Sequence, residues 1–393
     1  MSRLGIIEDG AVAVQGSRIV AVGITSEIRR EYSAKKTLDA KGKVVLPGFV
    51  DAHSHFVFAG SRENELEMKI SGKSYMEIMA AGGGILKTVR ETRSISKKEL
   101  IAICIERSRK MLQNGTTTVE AKSGYGLTLE DEIKSLEVIK HLQERGPLSV
   151  VPTFLGAHAV PPEYEKSPSD YVSQICENWI PKIAKSKLAT FCDVFCEKGV
   201  FEIEDSRRIL ESGKKAGLLP KIHADEFYAL GGAELAAEVG AVSADHLLYA
   251  SENGLTRMKE ANVIAVLLPA ASLTLMIDKY ADARKMISSG LPVALGSDFS
   301  PSCWLENPQT VITLACFKLK MAPAEAVVAS TINAAHAVKQ AHDVGSLEPG
   351  KRADILILDA PDFRFLGYRF GSNLVDTVVK NGRVAVSDGR LQI

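Results

Sequence analysis

Two histidines one residue apart, His53 and His55, close an apolar run, VVLPGFVDA, that reads as a β-strand. Side chains two apart on a strand project to the same side, so both imidazoles can reach one cation from a single strand end. A solvent-facing pair at a strand terminus is the plain alternative. Groups of the same chemistry recur downstream as His223 and Glu226 in HADE, Asp245-His246, and Asp298 in ALGSDFS. A divalent ion held by imidazole and carboxylate needs three or four such groups and an open position for water. His53, His55, His223 and Asp298 supply a His3Asp set. Water on such an ion has its pKa brought down towards about 7, which makes a nucleophile at neutral pH. Glu226, three residues past His223, is placed to carry a proton. A rim ion pair for Glu226 and a helix cap for Asp298 are the plainer readings.

The elements that would hold these groups are legible. Apolar, β-branched runs occur at VVLPGFVDAH, GTTTVEAKSG, LSVVPTFLGAH, CDVFCEKG, LPKIHADE, GAVSADHL, NVIAVLLPA and LPVALGSDFS. Amphipathic stretches such as KKELIAICIERSRKMLQNG, LEDEIKSLEVIKHLQERG and EDSRRILESGKKAG alternate with them. Eight buried parallel strands alternating with helices predict an α/β fold, a (β/α)8 TIM-type barrel over residues 47–342. The polar groups then fall at strand ends. Asp51, His53 and His55 end the first, Lys122 and Tyr125 the second, His158 the third and Glu197 the fourth. His223 and Glu226 end the fifth, His246 the sixth and Asp298 the eighth; the seventh, ending at Leu268-Pro269, offers nothing ionisable. In a barrel these ends meet at one mouth. Residues 1–46 and 343–393 have a different texture, short alternating strands with turns, including an Asn381-Gly382 hairpin signal. They predict one small composite β-sandwich domain built from both termini.

Bulk composition narrows the class. Lys plus Arg equals Asp plus Glu at 48 each, so charge gives no case for nucleic acid or an anionic membrane as partner. No apolar run approaches the roughly 18 residues of a membrane span, and the N-terminus lacks a signal-peptide pattern. A cytoplasmic location follows as the expectation. Of the six cysteines only Cys192 and Cys196 lie close together, without the second pair that a zinc site usually draws on. They read as small apolar residues of a buried strand, and a disulfide framework is not expected. Gly82-Gly83-Gly84 predicts a tight loop but lacks the Lys-Ser/Thr of a phosphate loop. A homodimer is left open.

The stretches VDAHSHFVFAGSRENE, GKSYMEIMAAGGGILKTVRETR, TVEAKSGYGLTLEDE, PTFLGAHAVPPEY, DVFCEKGVF, KIHADE, SADHLLYAS and ALGSDFSP together resemble the imidazolonepropionase family of the amidohydrolase superfamily, over nearly the whole chain. The H-x-H strand and the late Asp specify only the superfamily, whereas FVFAGSRE, AAGGGILKTVR and KSGYGLT are narrower. The resemblance implies hydrolytic opening of 4-imidazolone-5-propanoate to N-formimidoyl-L-glutamate with one divalent ion, zinc or iron. Carried over by position, His53, His55, His223 and Asp298 are implied ligands, and Glu226 and His246 catalytic groups. Arg62, Tyr125 and His158 are implied to hold the substrate. Arg62 suits the propanoate tail because guanidinium grips carboxylate with two parallel hydrogen bonds; its plain alternative is a surface ion pair with Glu63 or Glu65. Tyr125 lies in SGYG, read as a flexible glycine frame over the ligand. Asp298 would take a proton from water, Glu226 would give one to the departing ring nitrogen, and His246 would help to stabilise the oxyanion. Lys122 matches no carbamylated lysine of this family, which favours a single-metal site.

Two departures from the family stand out. Asp298 is followed by FSPSC where an Asp-Phe-Asn-Pro-Gly-Ser type of sequence is usual, so Ser300, Ser302 and Cys303 replace substrate-contacting residues. An altered affinity or a related substrate is therefore an open expectation. The chain also starts late relative to the family, by one or two strands, which implies a trimmed β domain. The rival activity is that of a related amidohydrolase, a deaminase or cyclic-ureide hydrolase acting on another small ring. A noncatalytic relative that keeps the barrel for assembly would require lost ligands, and none of the four is lost.

Overall fold

The chain opens on an antiparallel hairpin, β1 (Gly10–Gln15) and β2 (Arg18–Ile24). The computed structural model describes residues 1, 3–73 and 75–392, apart from the side chains of Tyr75, Met76 and Ala80; Ser74 of the GKSYMEIM stretch lies outside the described residues. After a short strand, β3 (Val45–Pro47), come β4 (Phe49–Asp51), β5 (Thr116–Lys122), β6 (Ser149–Ala157) and β7 (Phe191–Cys196). They continue as β8 (Leu219–Ala224), β9 (Ser243–His246), β10 (Ile264–Leu267) and β11 (Val293–Leu295). The chain ends on β12 (Ile355–Leu358), β13 (Val375–Lys380), β14 (Arg383–Ser387) and β15 (Arg390–Leu391).

Strands β4 to β11 pair parallel in sequence order, one strand for each of the eight apolar runs. The sheet closes just beyond the ends of its first and last strands, through a parallel bridge between Ser54 and Phe299. There the Asp298 amide donates to the His53 carbonyl at 3.0 Å and the His55 amide to the Phe299 carbonyl at 2.9 Å. The carboxylate of Asp51 strengthens the same seam, accepting from the Ser297 amide at 2.9 Å and from its hydroxyl at 2.5 Å. Barrel closure and the placing of His53, His55 and Asp298 are thus the same set of hydrogen bonds.

The three helices expected from periodicity form at Lys97–Gln113, Leu129–Arg145 and Ile203–Lys215 and bury their apolar faces on the barrel. Ser96 with Glu99 makes a capping box, and Thr128 caps the second helix. Cys192 and Cys196 are fully buried on β7, packed as small apolar residues should be. Among the described residues, no helix is long and apolar enough to cross a membrane.

A five-stranded antiparallel sheet, ordered β15-β14-β13-β12-β3, takes one strand from before the barrel and four from after it. The β1–β2 hairpin joins it through bonds such as Ile19 N–H to Lys351 O at 2.9 Å and by packing Ile19 on Ala353, Ile355 and Val379. This is the composite β-sandwich. Asn381 and Gly382, both left-handed at φ 52° and 75°, make the tight turn between β13 and β14.

Gly296 lies between β11 and the closing seam, where an added Cβ would sit 2.8 Å from His53 Cβ. Gly296→Ala should therefore cost about 1–3 kcal/mol through overpacking, lowering the thermal midpoint and the bound metal per chain together. A variant with wild-type midpoint and metal content would show that the seam relaxes freely.

Candidate active site

Three imidazoles converge at the barrel mouth. His53 Nε2 lies 3.1 Å from His55 Nε2, which lies 3.2 Å from His223 Nε2. Asp298 Oδ1 is 3.5 Å from Nε2 of both His53 and His55. Carboxylates behind the rings fix two tautomers: Asp245 Oδ2 accepts from His53 Nδ1 at 2.6 Å, and Asp193 Oδ1 from His223 Nδ1 at 3.2 Å. Each ring so held aims an Nε2 lone pair at His55 Nε2, which carries at most one hydrogen. Hydrogen bonding alone cannot satisfy that arrangement, whereas a divalent cation with bonds of about 2.0–2.1 Å to each nitrogen would. Burial, first of all, pushes the His53 and His55 pKa values well below the usual range, with neighbouring positive charge adding to it. The rings are neutral, as ligands must be. His246 joins His53 and His223 in a second close group, so a fourth imidazole lies beside the cluster.

Beneath the imidazoles lies a buried charge cluster. Lys122 Nζ donates to Glu120 Oε1 and to Asp193 Oδ2, each at 2.7 Å, and lies 3.8 Å from Asp245. Lys221 Nζ sits 3.6 Å from Glu120 and 3.9 Å from Asp245, and donates to the Ala52 carbonyl at 3.0 Å. All five side chains are fully buried. Burial disfavours charge on Lys122, but Asp193, Glu120 and Asp245 outweigh it and raise its pKa. Burial likewise works against Asp193, yet His223 and Lys122 hold its carboxyl well below the usual range. Lys122 is thus engaged by two carboxylates, Glu120 and Asp193. Apart from Lys122 and the Asp245-His246 pair, sequence reasoning passed over these supports. Their signal was present: TVEAK, CDVFC, LPKIH and SADH each carry charge inside a strand that is otherwise apolar.

The cavity above the cluster is walled by Arg62, Tyr125, His158, Glu226, His246, Ser300 and Ser302, with Phe195 and Phe227 as apolar surface. Arg62 is 5% exposed, and its Nε and one terminal nitrogen are buried without a hydrogen-bond partner. The expected pairing with Glu65 is present at 3.8 Å, beyond hydrogen-bond range, but both side chains are buried, so it is not a surface ion pair. His158 Nδ1 meets the Gly124 carbonyl at 3.0 Å, leaving Nε2 as its other polar atom, and its ring stacks on His55 with centroids 5.0 Å apart. Burial pushes the His158 pKa down to about 3. Glu226 Oε1 is 3.5 Å from His246 Nδ1. Its pKa stands well above the carboxylate range, through burial first and then the charges of Asp298 and Glu197. The rim ion pair expected as its alternative is absent from the ion pairs of the described residues.

Two expectations are corrected. Cys303 does not wall the cavity; it is buried against Ala270, Leu305 and Leu314, with Sγ 3.5 Å from the Ser297 carbonyl. A reverse turn carries it there, with mutual bonds between Ser300 and Cys303 backbones, while the Ser300 and Ser302 hydroxyls stay at the cavity 3.2 Å apart. The glycine frame around Tyr125 is pinned, not flexible, with the amides of Gly124, Gly126 and Leu127 all bound by Glu132.

Left-handed backbone at non-glycine residues clusters at the strand ends, at Asp225 (φ 52°), His246 (76°), Leu247 (61°) and Asp298 (52°). Such conformations persist where their surroundings over-determine them. Asp225 is held by the amides of Leu230, Gly231, Gly232 and Ala233. The adjoining Phe227 amide donates to Glu197 Oε2 at 2.8 Å. Glu226 is thereby fixed from both sides.

Known proteins bear on this geometry. The family model described as the Amidohydrolase family matches residues 206–385. A protein of Brevibacillus brevis named imidazolonepropionase is 52% identical over 396 residues, taking in 100% of this chain and 93% of the relative. Its namesake from Geobacillus kaustophilus is 52% identical over 398 residues, 100% of this chain and 94% of the relative. The chain belongs to the imidazolonepropionase family. Solved structures of lower identity share the fold. A 5-methylcytosine deaminase from Klebsiella pneumoniae superposes with a TM-score of 0.75 at 16% identity, covering 97% of this chain and 95% of the deaminase. An adenosine deaminase from Xanthomonas campestris, with bound zinc, gives 0.72 at 19%, covering 98% and 90%.

An imidazolonepropionase-family barrel that orients His53 through Asp245 should depend on that carboxylate for its metal. Asp245→Asn is expected to weaken metal affinity about 10- to 100-fold, read by competition with a chelator of known affinity. Unchanged affinity would remove Asp245 from that role.

Proposed function

We propose that this chain hydrolyses 4-imidazolone-5-propanoate to N-formimidoyl-L-glutamate, a step of histidine degradation, with one divalent ion, zinc or iron, held by His53, His55, His223 and Asp298. The observation that carries this reading is Arg62, a buried guanidinium with two unpartnered nitrogens in the cavity that also holds the imidazole–carboxylate cluster. Glu65 pairs with Arg62 at 3.8 Å without hydrogen bonding to it, so two buried N–H-bearing nitrogens still lack an acceptor, a cost that a ligand's anion would relieve. A small ring with a carboxylate tail supplies that anion, and a neutral nucleobase does not. The family is one of hydrolases that open a C–N bond in a cyclic amide.

In the reaction, water adds to the ring carbonyl carbon, the carbonyl carbon–nitrogen bond breaks, and the departing nitrogen takes a proton. The ring opens without loss of ammonia. A bound divalent ion supplies Lewis acidity, polarising the carbonyl and lowering the pKa of water. Asp298, whose Oδ1 lies 3.5 Å from Nε2 of both His53 and His55, is suited to accept a proton from water beside them. Glu226, held protonated, is placed to give one to the leaving nitrogen. His246, beside Glu226, offers a hydrogen-bond donor where the carbonyl oxygen becomes negative. Tyr125 and His158 face the ring, and the Ser300 and Ser302 hydroxyls can donate at the mouth. We place the reaction in the cytoplasm, a compartment suited to the six unpaired thiols.

Metal-loaded protein should consume 4-imidazolone-5-propanoate generated in situ, followed by absorbance, with no ammonia released. Ammonia release would instead favour a deaminase. In the same assay Arg62→Gln should raise KM about 10- to 100-fold, the worth of a charge-assisted contact, at normal metal content; an unchanged KM would move the tail elsewhere. Glu226→Gln should lower kcat by about 10²–10⁴. An acid must be protonated to act, so wild-type activity falls as pH rises through the raised Glu226 pKa, and the variant should lack that alkaline limb. Full turnover by Glu226→Gln would end its role as the acid.

A further inference from the structure

We propose that Glu132 is a positioning residue whose buried carboxylate clamps the Ser123–Thr128 loop in the shape that presents Tyr125 and His158 to the substrate, an inference that rests on the functional reading above. Glu132 lies in the first turn of the Leu129–Arg145 helix and is fully buried. Its Oε1 accepts from the amides of Gly126 at 2.8 Å and Leu127 at 2.9 Å, and its Oε2 from Gly124 at 3.0 Å. Amides so close in sequence and aimed at one point form an anion nest. The carboxylate is the anion, and its hydrogen bonds are of the charge-assisted kind. Helix capping does not explain it, because Thr128 already accepts from the Asp131 amide at 3.1 Å.

The other polarity of the loop is equally engaged. The Gly124 carbonyl meets His158 Nδ1 at 3.0 Å, which sets that ring's tautomer. The Gly126 carbonyl accepts from Arg93 Nε at 2.7 Å, and Arg93 pairs with Glu163 at 2.6 Å. Tyr125 sits between two clamped amides, its ring centroid 5.2 Å from that of His158. At Gly126 an added Cβ would lie 2.5 Å from the backbone of Asp131 and Glu132, so the loop rests directly on the helix. Three of the motifs quoted for the family resemblance, GGGILKTVRETR, KSGYGLTLEDE and GAHAVPPEY, therefore meet in one clamp through Arg93, Glu132, His158 and Glu163.

The test uses the full metal-loaded chain. Glu132→Gln keeps size and one acceptor oxygen but sets an amide group against the Gly124 N–H. Hydrogen exchange should quicken at Gly124, Gly126 and Leu127 alone, with metal content and protection elsewhere unchanged. KM should rise about tenfold with a smaller change in kcat, and adding Tyr125→Phe should cost less than the two single effects combined, the non-additivity of coupled residues. Additive effects, unchanged loop exchange, or a uniform loss of protection across the barrel would each overturn the proposal. Should Glu132→Gln fail to fold, Gly126→Ala decides: it lifts the loop from the helix with Glu132 intact, and an unchanged KM overturns the clamp. Loop-confined exchange in Glu132→Gln, together with a wild-type protein that turns over no substrate, would sink the functional reading and leave the clamp standing.

Discussion

The site depends on keeping carboxylates ionised inside a barrel that excludes water. Asp193 and Asp245 orient two imidazoles only while they can accept hydrogen bonds, and burial alone would neutralise them. Lys122, and Lys221 beside it, supply the compensating charge at 2.7–3.9 Å. Buried ion clusters add little net stability against apolar packing of the same volume. What this one contributes is direction: His53 and His223 can aim only Nε2 at the common point, which makes the cluster a foundation for the metal site.

The seam of the barrel carries the same logic into the backbone. Closure between Ser54 and Phe299 uses hydrogen bonds from the very residues that flank His53, His55 and Asp298. Donors on the first and last strands, far apart in sequence, are therefore placed by the requirement that buried amides and carbonyls be paired. Left-handed backbone at Asp225, His246 and Asp298 releases the chain from each strand into its loop, keeping the His246 and Asp298 side chains at the cavity and turning the Asp225 carboxylate to the amides of residues 230–233. Asp225 is over-determined by four amides and Asp298 by a cross-seam bond, which is how strain persists at a working site.

Sharing this fold with deaminases at 16–19% identity separates what the barrel supplies from what the loops supply. The barrel supplies a cluster of donors for a cation. Arg62, Tyr125, Glu226 and the hydroxyls of Ser300 and Ser302 line the space above it. The FSPSC departure is smaller in three dimensions than in sequence. It leaves two hydroxyls at the mouth and buries the cysteine in an apolar cluster.

By itself the sequence determined the alternation of eight strands and helices, the β-rich ends, and the four residues offered to a metal. Those follow from local rules: side-chain period in strands, helical amphipathicity, and the placing of polar residues at strand ends. Tertiary structure alone decided that Arg62 is buried with two nitrogens lacking hydrogen bonds, that Cys303 leaves the cavity, that the glycine frame of Tyr125 is clamped, and that Lys122 is engaged by Glu120 and Asp193. Each of these turns on which groups meet once the barrel has closed, some of them, like Lys122 and Asp193, 71 residues apart, and on whether water reaches them. Neither is written in local spacing, because burial and pairing belong to the closed barrel and not to any segment of it.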